Sequence, residues 1–321
     1  MNVLLVLPNV YLGNRIGDHE SKEPLGLLYL AAVLRSEDYE VSVLQADYYG
    51  LSVEQTVDIV LFHNPAVVGF SLTQRAAPSV LKTVELLRKR GFVGHITSGG
   101  YLPSLCTEDF LNRATEIDSV VVGEGEKTFL DLVECLDYGS PWNCVSGLAY
   151  HNGTSVVINQ PRPLIKDLDT LPFPSRDFLT DAFGRMGYAN LISSRGCYGN
   201  CTFCPQNAFK CKNPGPRWRG RGPENVVDEM ENINRDYNIG MFKFNDDNIF
   251  GPGETGRERV IGICEEIIRR GVKVSLMAYC RINDIEHKVM ALMRKAGFER
   301  LLVGIESTVP AILREYKKRF H

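Results

Sequence analysis

Arg195-Gly196-Cys197-Tyr198-Gly199-Asn200-Cys201-Thr202-Phe203-Cys204 places three cysteines at i, i+4 and i+7, directly after the apolar run 188–192. A short strand, a polar turn and three closely spaced thiols describe a metal or cluster site. Thiolates are soft ligands that suit zinc or iron–sulfur centres. A closed structural zinc site takes four ligands, and this group supplies three. A four-iron cluster held by three thiolates leaves one iron open to another molecule. A zinc knuckle, or three core cysteines that happen to be neighbours, are the other readings of the same spacing. Cys211 follows seven residues after the last of them and reads as a bystander, since a fourth ligand would close the open iron.

Composition narrows the class. The 321 residues, 44% hydrophobic and 23% charged, suit an ordinary soluble protein of two domains. A formal charge of −3 gives no reason to expect nucleic acid or an anionic membrane as partner. No apolar run approaches the roughly 18 residues of a membrane span. The start, Met1 to Pro8, lacks a basic segment and a cleavage site, so it reads as a buried strand. Nine unevenly placed cysteines are not a disulfide framework, and cluster thiols must stay reduced, which points to the cytoplasm.

Residues 1–140 alternate strand and helix. Strands are expected at 3–7, 41–44, 67–71, 95–98 and 119–122, with helices at 25–34, 78–90 and 128–136. Pro24 costs nothing near a helix start, where the N–H it lacks has no intrahelical acceptor. Strands this apolar, separated by helices, predict a doubly wound α/β domain with a parallel sheet covered on both faces. Ligands of such sheets bind outside the carboxyl ends of the strands. The lining there comes from 9–23, Ser71-Leu72-Thr73-Gln74, Gly99-Gly100-Tyr101 and Gly123-Glu124-Gly125-Glu126. No Gly-x-Gly-x-x-Gly follows the first strand, which argues against a dinucleotide fingerprint. On these residues alone, a receiver-like or flavodoxin-like domain fits as well.

The texture changes at 141–180. Two apolar runs flank His151-Asn152-Gly153-Thr154 and read as a hairpin. Pro161, Pro163, Pro172 and Pro174 then make a stiff connector. From 181 onward βα units repeat, with strands expected at 188–194, 241–245, 272–279 and 300–305 and helices at 226–235, 258–270, 285–296 and 309–318. Asp246, Asp247, Arg281 and Glu306 leave the strand ends, where a TIM-like barrel builds its active site. The two aspartates suit a hydrogen bond to a ligand, and equally a helix cap or a loop bracket. Arg217-Trp218-Arg219 is too short for a nucleic-acid patch and reads as cover for the cysteine loop.

Cys-x3-Cys-x2-Cys with Phe203 before the third cysteine resembles the signature of the radical S-adenosylmethionine (SAM) enzymes. Pro24-Leu25-Gly26-Leu27-Leu28-Tyr29-Leu30-Ala31, Val68-Gly69-Phe70-Ser71, Ser98-Gly99-Gly100 and Val122-Gly123-Glu124-Gly125-Glu126 resemble the cobalamin-binding domain that precedes many such cores. Together the two resemblances cover essentially the whole chain. They imply a cobalamin domain at 1–140, a hairpin and proline-rich linker at 141–180, and the first four units of a six-unit partial barrel at 181–321. Cys197, Cys201 and Cys204 would hold a [4Fe-4S] cluster whose open iron takes the amino and carboxylate groups of SAM. Phe203 would lie near the adenine, and Arg195 and Asn200 would donate hydrogen bonds to sulfur or cofactor. One of Asp246 and Asp247 would hydrogen-bond substrate or the SAM ammonium, Ser275 and Arg281 would meet its carboxylate, and Glu306 ends the strand as the family's glycine-x-glutamate-serine does. Ser71, Thr73, Gly99, Gly100, Gly123, Glu124 and Gly125 would line cobalamin. Many cobalamin domains carry Asp-x-His-x-x-Gly beneath the cobalt. Here Asp18 and His19 are adjacent, so no protein ligand to cobalt is named, and His19 and His63 read as ordinary loop residues.

The resemblance implies a cobalamin-dependent methyltransferase. One SAM methylates the corrinoid, a second gives a 5'-deoxyadenosyl radical, and the substrate radical takes its methyl from methylcobalamin. One alternative is a family member that cyclises, oxidises or rearranges without methylation. Another is a non-catalytic cobalamin-binding or electron-carrying subunit. An external flavodoxin- or ferredoxin-like donor and a small-molecule or peptide substrate are implied. With four of six strands present, a C-terminally truncated core is expected, lacking the loops that choose the substrate.

Overall fold

The computed structural model describes residues 1–10 and 23–318, apart from the side chain of Lys210. Residues 11–22, with Asp18, His19 and most of the first expected ligand loop, lie outside the described residues. Two compact units form. One comprises Met1–Leu164, Pro172–Asp177 and Lys212–Pro214, the other Ile165–Leu171, Phe178–Cys211 and Gly215–His321.

The first unit is a seven-stranded sheet built from β1 (Asn2–Leu7), β2 (Glu40–Gln45), β3 (Val67–Ser71), β4 (His95–Gly99), β5 (Ser119–Val121), β6 (Leu148–His151) and β7 (Val156–Ile158), in the order β2-β1-β3-β4-β5-β6-β7. The first five strands run parallel. The expected hairpin forms and joins β5 antiparallel, so the whole sheet is mixed. Alternation along each strand splits the core in two. Leu4, Val6, Val68, Phe70 and Ile96 pack with the helices Val53–His63 and Ala77–Lys89. Val3, Leu5, Val67 and Val121 pack with Leu25–Ser36 and Glu126–Asp137. Each fully buried Phe or Leu contributes about 1.5–3 kcal/mol, which is why both faces must be covered. The chain leaves β1 to opposite sides for β2 and β3, so strand order reverses at the carboxyl ends of β1 and β3.

The second unit holds β8 (Ala189–Leu191), β9 (Ser194–Gly196), β10 (Trp218–Gly220), β11 (Met241–Phe244), β12 (Ser275–Arg281) and β13 (Phe298–Gly304). Four of them make a parallel sheet in the order β13-β12-β11-β8, with free edges at β13 and β8, so the barrel is not closed. The single strand expected at 188–194 is broken in two: β8 joins this sheet, and β9 turns away to pair with β10. Ala189, Leu191, Phe242, Phe244, Leu276 and Ala278 bury one face against the helices Pro223–Tyr237, Gly253–Arg270 and His287–Lys295. Because strand residues alternate, the other face carries Asn190, Lys243, Met277, Tyr279 and Arg281. That polar inner face is the feature a ligand site requires. Among the described residues, no helix is long and apolar enough to cross a membrane.

Candidate functional site

The cysteine loop starts from a braced platform. Gly196 ends β9 at φ +82°, and a Cβ there would collide with the Arg217 carbonyl across the β9–β10 pair. Only glycine meets both demands without strain. Beneath the pair, the buried Arg259 guanidinium donates to the carbonyls of Arg221, at 2.7 Å, and Ser193. Burial pulls its pKa down to about 10, so it remains a cation at neutral pH. On the other side, Asp246 accepts from the Ser193 N–H at 2.7 Å and from both the Ser193 and Ser194 hydroxyls at 2.6 Å. Asp246 is thus a loop bracket at this strand exit.

Cys197, Cys201 and Cys204 lie on the one loop that follows β9, with Cys204 at the start of the helix Pro205–Lys210. The Gly199 N–H donates to Cys197 Sγ at 3.3 Å, and Arg281 Nη1 to Cys201 Sγ at 3.6 Å. Donors aimed at sulfur are what a cluster thiolate needs. Asn207 Nδ2 holds the Cys201 carbonyl at 2.7 Å, and the Thr202 N–H reaches the Tyr316 carbonyl at 3.1 Å. No disulfide forms among the described residues. Nor do three Cys, His, Asp or Glu side chains among them converge as the ligands of one metal ion do; thiolates on separate irons of a cluster have no need to. The donor set therefore fits a [4Fe-4S] cluster on three thiolates. Arg281 Nε is buried without a partner among the described residues, which suits an acceptor brought by a ligand.

The other expected residues are spread more widely. Phe203 is half exposed and lies edge-on to the Tyr316 ring at 5.2 Å. Asn200 does not turn to sulfur; its Oδ1 accepts from Arg217 Nη1 at 2.8 Å. Arg195 lies on β9 opposite Arg219. Ser275 opens β12 and Arg281 closes it. Six steps of a strand span about 20 Å, so these two do not share one carboxylate. Glu306, at φ +65°, pairs with Lys318 Nζ at 2.8 Å. Asp247 and Cys211 are exposed.

Lys243 escaped the sequence reading. It is 4% exposed, with Nζ 3.4 Å from the Tyr188 hydroxyl and over the rings of Tyr188 and Tyr279 at 5.3 and 5.6 Å. The signal was present as a lysine between two phenylalanines of one strand, which alternation turns to the polar face. Tyr198 and Asp284 were also missed, and no local spacing joins them.

In the first unit, the expected lining gathers at the carboxyl ends of adjacent strands. Ser71 and Gly99 are register partners at the ends of β3 and β4. Thr73 is exposed just beyond β3. Gly100 takes φ +97°, and a Cβ on it would sit 2.8 Å from the Leu72 carbonyl oxygen and 3.1 Å from its nitrogen. Gly123 takes φ +90° against the Asn213 side chain, Glu124 is half-buried, and Gly125 caps the helix Glu126–Asp137. The buried Ser98 hydroxyl has no partner among the described residues. Bare backbone and an unused hydroxyl beside a strand-order reversal suit close approach of a ligand with polar groups, as a corrinoid has. His63 ends a helix as an exposed residue, away from these strand exits.

Comparison with known proteins bears on both units. The family model of the B12 binding domain matches residues 15–133, and that of the radical SAM superfamily matches 191–321. "Uncharacterized methyltransferase PH0819" of Pyrococcus horikoshii is 32% identical over 98% of this chain and 67% of its own length. The anaerobic magnesium-protoporphyrin IX monomethyl ester cyclase of Synechocystis sp. is 30% identical over 98% of this chain and 63% of its own. Among solved structures, the cobalamin-dependent SAM radical enzyme OxsB, with aqua-cobalamin and SAM bound, superposes with a TM-score of 0.82 at 24% identity. That match covers 99% of this chain and 45% of OxsB. The chain thus spans about half to two thirds of the proteins it matches.

Proposed function

Because this chain belongs to the family of radical SAM enzymes that carry a cobalamin-binding domain, we propose that it cleaves SAM reductively and directs the radical to a non-methylating cyclisation, oxidation or rearrangement. The observation that carries the radical half is the three-thiol loop with donors on two of its sulfurs. The outcome is supported by the Synechocystis cyclase, whose match runs along nearly all of the chain. A [4Fe-4S] cluster bound there supplies the electron that splits the sulfonium of SAM into methionine and a 5'-deoxyadenosyl radical.

The chain's own residues hold and shield. Cys197, Cys201 and Cys204 would hold the cluster, whose open position would take the amino and carboxylate groups of SAM. Arg281, whose buried Nε has no partner among the described residues, would take that carboxylate. Tyr279, Lys243 and Asn190 line the polar inner face on which a substrate would lie. Ser71, Thr73, Ser98, Gly99, Gly100 and the turn 123–125 are assigned to the corrinoid. Residues 1–140 on this reading are the cobalamin domain and 181–321 the cluster and SAM domain. The electron comes from an external flavodoxin- or ferredoxin-like protein.

Methyl transfer is the second reading, favoured by the name of the Pyrococcus relative. Anaerobic reconstitution of the longest gene product, followed by SAM turnover with dithionite, separates the two. 5'-Deoxyadenosine without S-adenosylhomocysteine supports the first reading. Both products together, with a methylated compound, support the second. Neither product from a protein with four irons per chain overturns both.

A further inference from the structure

The segment 197–201 is shaped around one side chain that lies far from it in sequence. Arg281 ends β12, eighty residues after Cys201, and its Nη1 donates to Cys201 Sγ at 3.6 Å. Its guanidinium lies over the Tyr198 ring at 5.4 Å, within the range of a cation–π contact. A Cβ built on Gly199 would run into that guanidinium and stand 3.4 Å from Cys197 Sγ. The loop therefore supplies an aromatic floor, a missing side chain and a sulfur acceptor, all to the same cation.

A second set of contacts fixes where that cation can be. Asp284 accepts the Tyr198 hydroxyl at 2.5 Å on one oxygen. Its other oxygen accepts Asn248 Nδ2 at 3.0 Å and the backbone N–H of Arg281 itself at 3.3 Å. Asp284 thus ties the floor under the guanidinium to the strand end from which the guanidinium extends. A cation held only to balance a surface charge would need none of this.

We infer that Arg281 sets the reduction potential of the cluster by holding positive charge and an N–H on the Cys201 thiolate, with Tyr198 and Asp284 as its positioning residues. The inference rests on the cluster reading above. A cluster gains negative charge when reduced, so a nearby cation and an N–H···S bond favour the reduced form and raise the potential. Asn200, a neighbour in the loop, gives its Oδ1 to Arg217, and the donor on Cys201 Sγ is Arg281. The contact comes from β12, so a movement of that strand end when SAM or substrate binds would change the electron affinity of the cluster.

The test is an EPR-monitored redox titration of the reconstituted holoprotein without substrate, in wild type, Arg281→Met, Arg281→Lys, Tyr198→Phe and the Tyr198→Phe/Arg281→Met pair. The expected result is a fall in midpoint potential, largest in Arg281→Met and smaller in Arg281→Lys and Tyr198→Phe. The double variant should match Arg281→Met alone, because Tyr198 acts through the arginine. An unmoved potential in Arg281→Met with four irons bound overturns the inference, and so does a Tyr198→Phe shift that persists in full without Arg281. If Arg281→Met loses its cluster, the milder pair decides: unchanged potentials in both overturn the inference. Failure of the cluster reading looks different, since wild type would then bind no four-iron cluster and give no signal to titrate.

Discussion

Asp246 holds Ser193 twice, taking its backbone N–H at 2.7 Å and its hydroxyl at 2.6 Å. The carboxylate is 2% exposed and also accepts from Ser194, at the point where the chain leaves β8 for the cysteine loop. Asp246→Asn replaces one acceptor oxygen with a donor that faces donors. Hydrogen bonds to a charged group are worth about 1.5–3 kcal/mol each, and a buried donor left unmet costs as much again. The expected loss is about 3 kcal/mol in thermal unfolding, with reduced iron retention on gel filtration. Wild-type stability and full iron in this variant would show that the bracket holds nothing in place.

The cysteines divide by position. Cys211 lies one short helix beyond Cys204 and is exposed, whereas Cys201 is buried under Arg281. Serine at Cys197, Cys201 or Cys204 is expected to bring iron after reconstitution to background, while Cys211→Ser keeps about four irons per chain. Burial pushes the Cys264 thiol up to about 12 and Cys280 up to about 11, so both are protonated at neutral pH. Iodoacetamide should therefore modify Cys106, Cys144 and Cys211 in the folded protein and leave these two intact, as peptide mapping would report. Loss of iron in Cys211→Ser would count against a three-thiolate cluster.

The sequence made the two units legible because their cores obey simple periods. The run 67–71 and the pair Phe242 and Phe244 alternate or persist as strands must, and the strand ends follow within a few residues. Less legible was the helix Val53–His63, although Ser52 and Gln55 form a capping box at its start. Its buried Val53, Val57 and Val60 keep the i, i+4, i+7 spacing of a helix, but 59–62 is a continuous apolar run that reads equally well as a short strand. The break between β8 and β9 was hidden for a different reason: it is enforced by Asp246 and Arg259, both distant in sequence. The three thiols proposed as cluster ligands were legible as spacing. Arg281 was legible as a strand-end residue but its contact with Cys201 was not, and Asp284 and Lys243 were missed, since sheet register sets all three and one sequence does not reveal it. Phe203 and Asn200 sit beside the thiols in sequence, and their contacts are with Tyr316 and Arg217.

Gly100 and Gly91 offer a controlled comparison within the first unit, Gly100 just past the carboxyl end of β4 and Gly91 in the turn that precedes β4. Both take positive φ, +97° and +85°, but a Cβ on Gly91 meets nothing within 4 Å while one on Gly100 meets the Leu72 backbone. Alanine at Gly91 carries the left-handed cost alone, about 1–2 kcal/mol. Alanine at Gly100 adds displacement of the turn after β3, next to Ser71 and Thr73. Gly100→Ala is expected to be the less stable of the two in urea and to bind hydroxocobalamin more weakly, whereas Gly91→Ala keeps wild-type binding. Equal binding by both variants would remove Gly100 from the cradle.

His95 gives the first unit an acid limb of its own. It opens β4 with Nε2 2.8 Å from the Ser119 hydroxyl and its ring edge-on to Trp142 at 4.8 Å. Burial pulls its pKa from 6.5 down to about 4, against a smaller opposing pull from Asp118. The folded protein therefore keeps the imidazole neutral where the unfolded chain already takes a proton. The neutral ring's contribution is whole above pH 6.5 and is lost progressively as pH falls toward 4. The gap is worth about 3 kcal/mol by linkage. His95→Gln keeps a hydrogen-bonding amide and has no proton to take. Its urea midpoint should fall less than that of wild type between pH 7 and pH 4.5, leaving only the losses both proteins share through their carboxylates. Parallel pH profiles for the two proteins would mean that the ring is protonated in the folded state as readily as in the unfolded one.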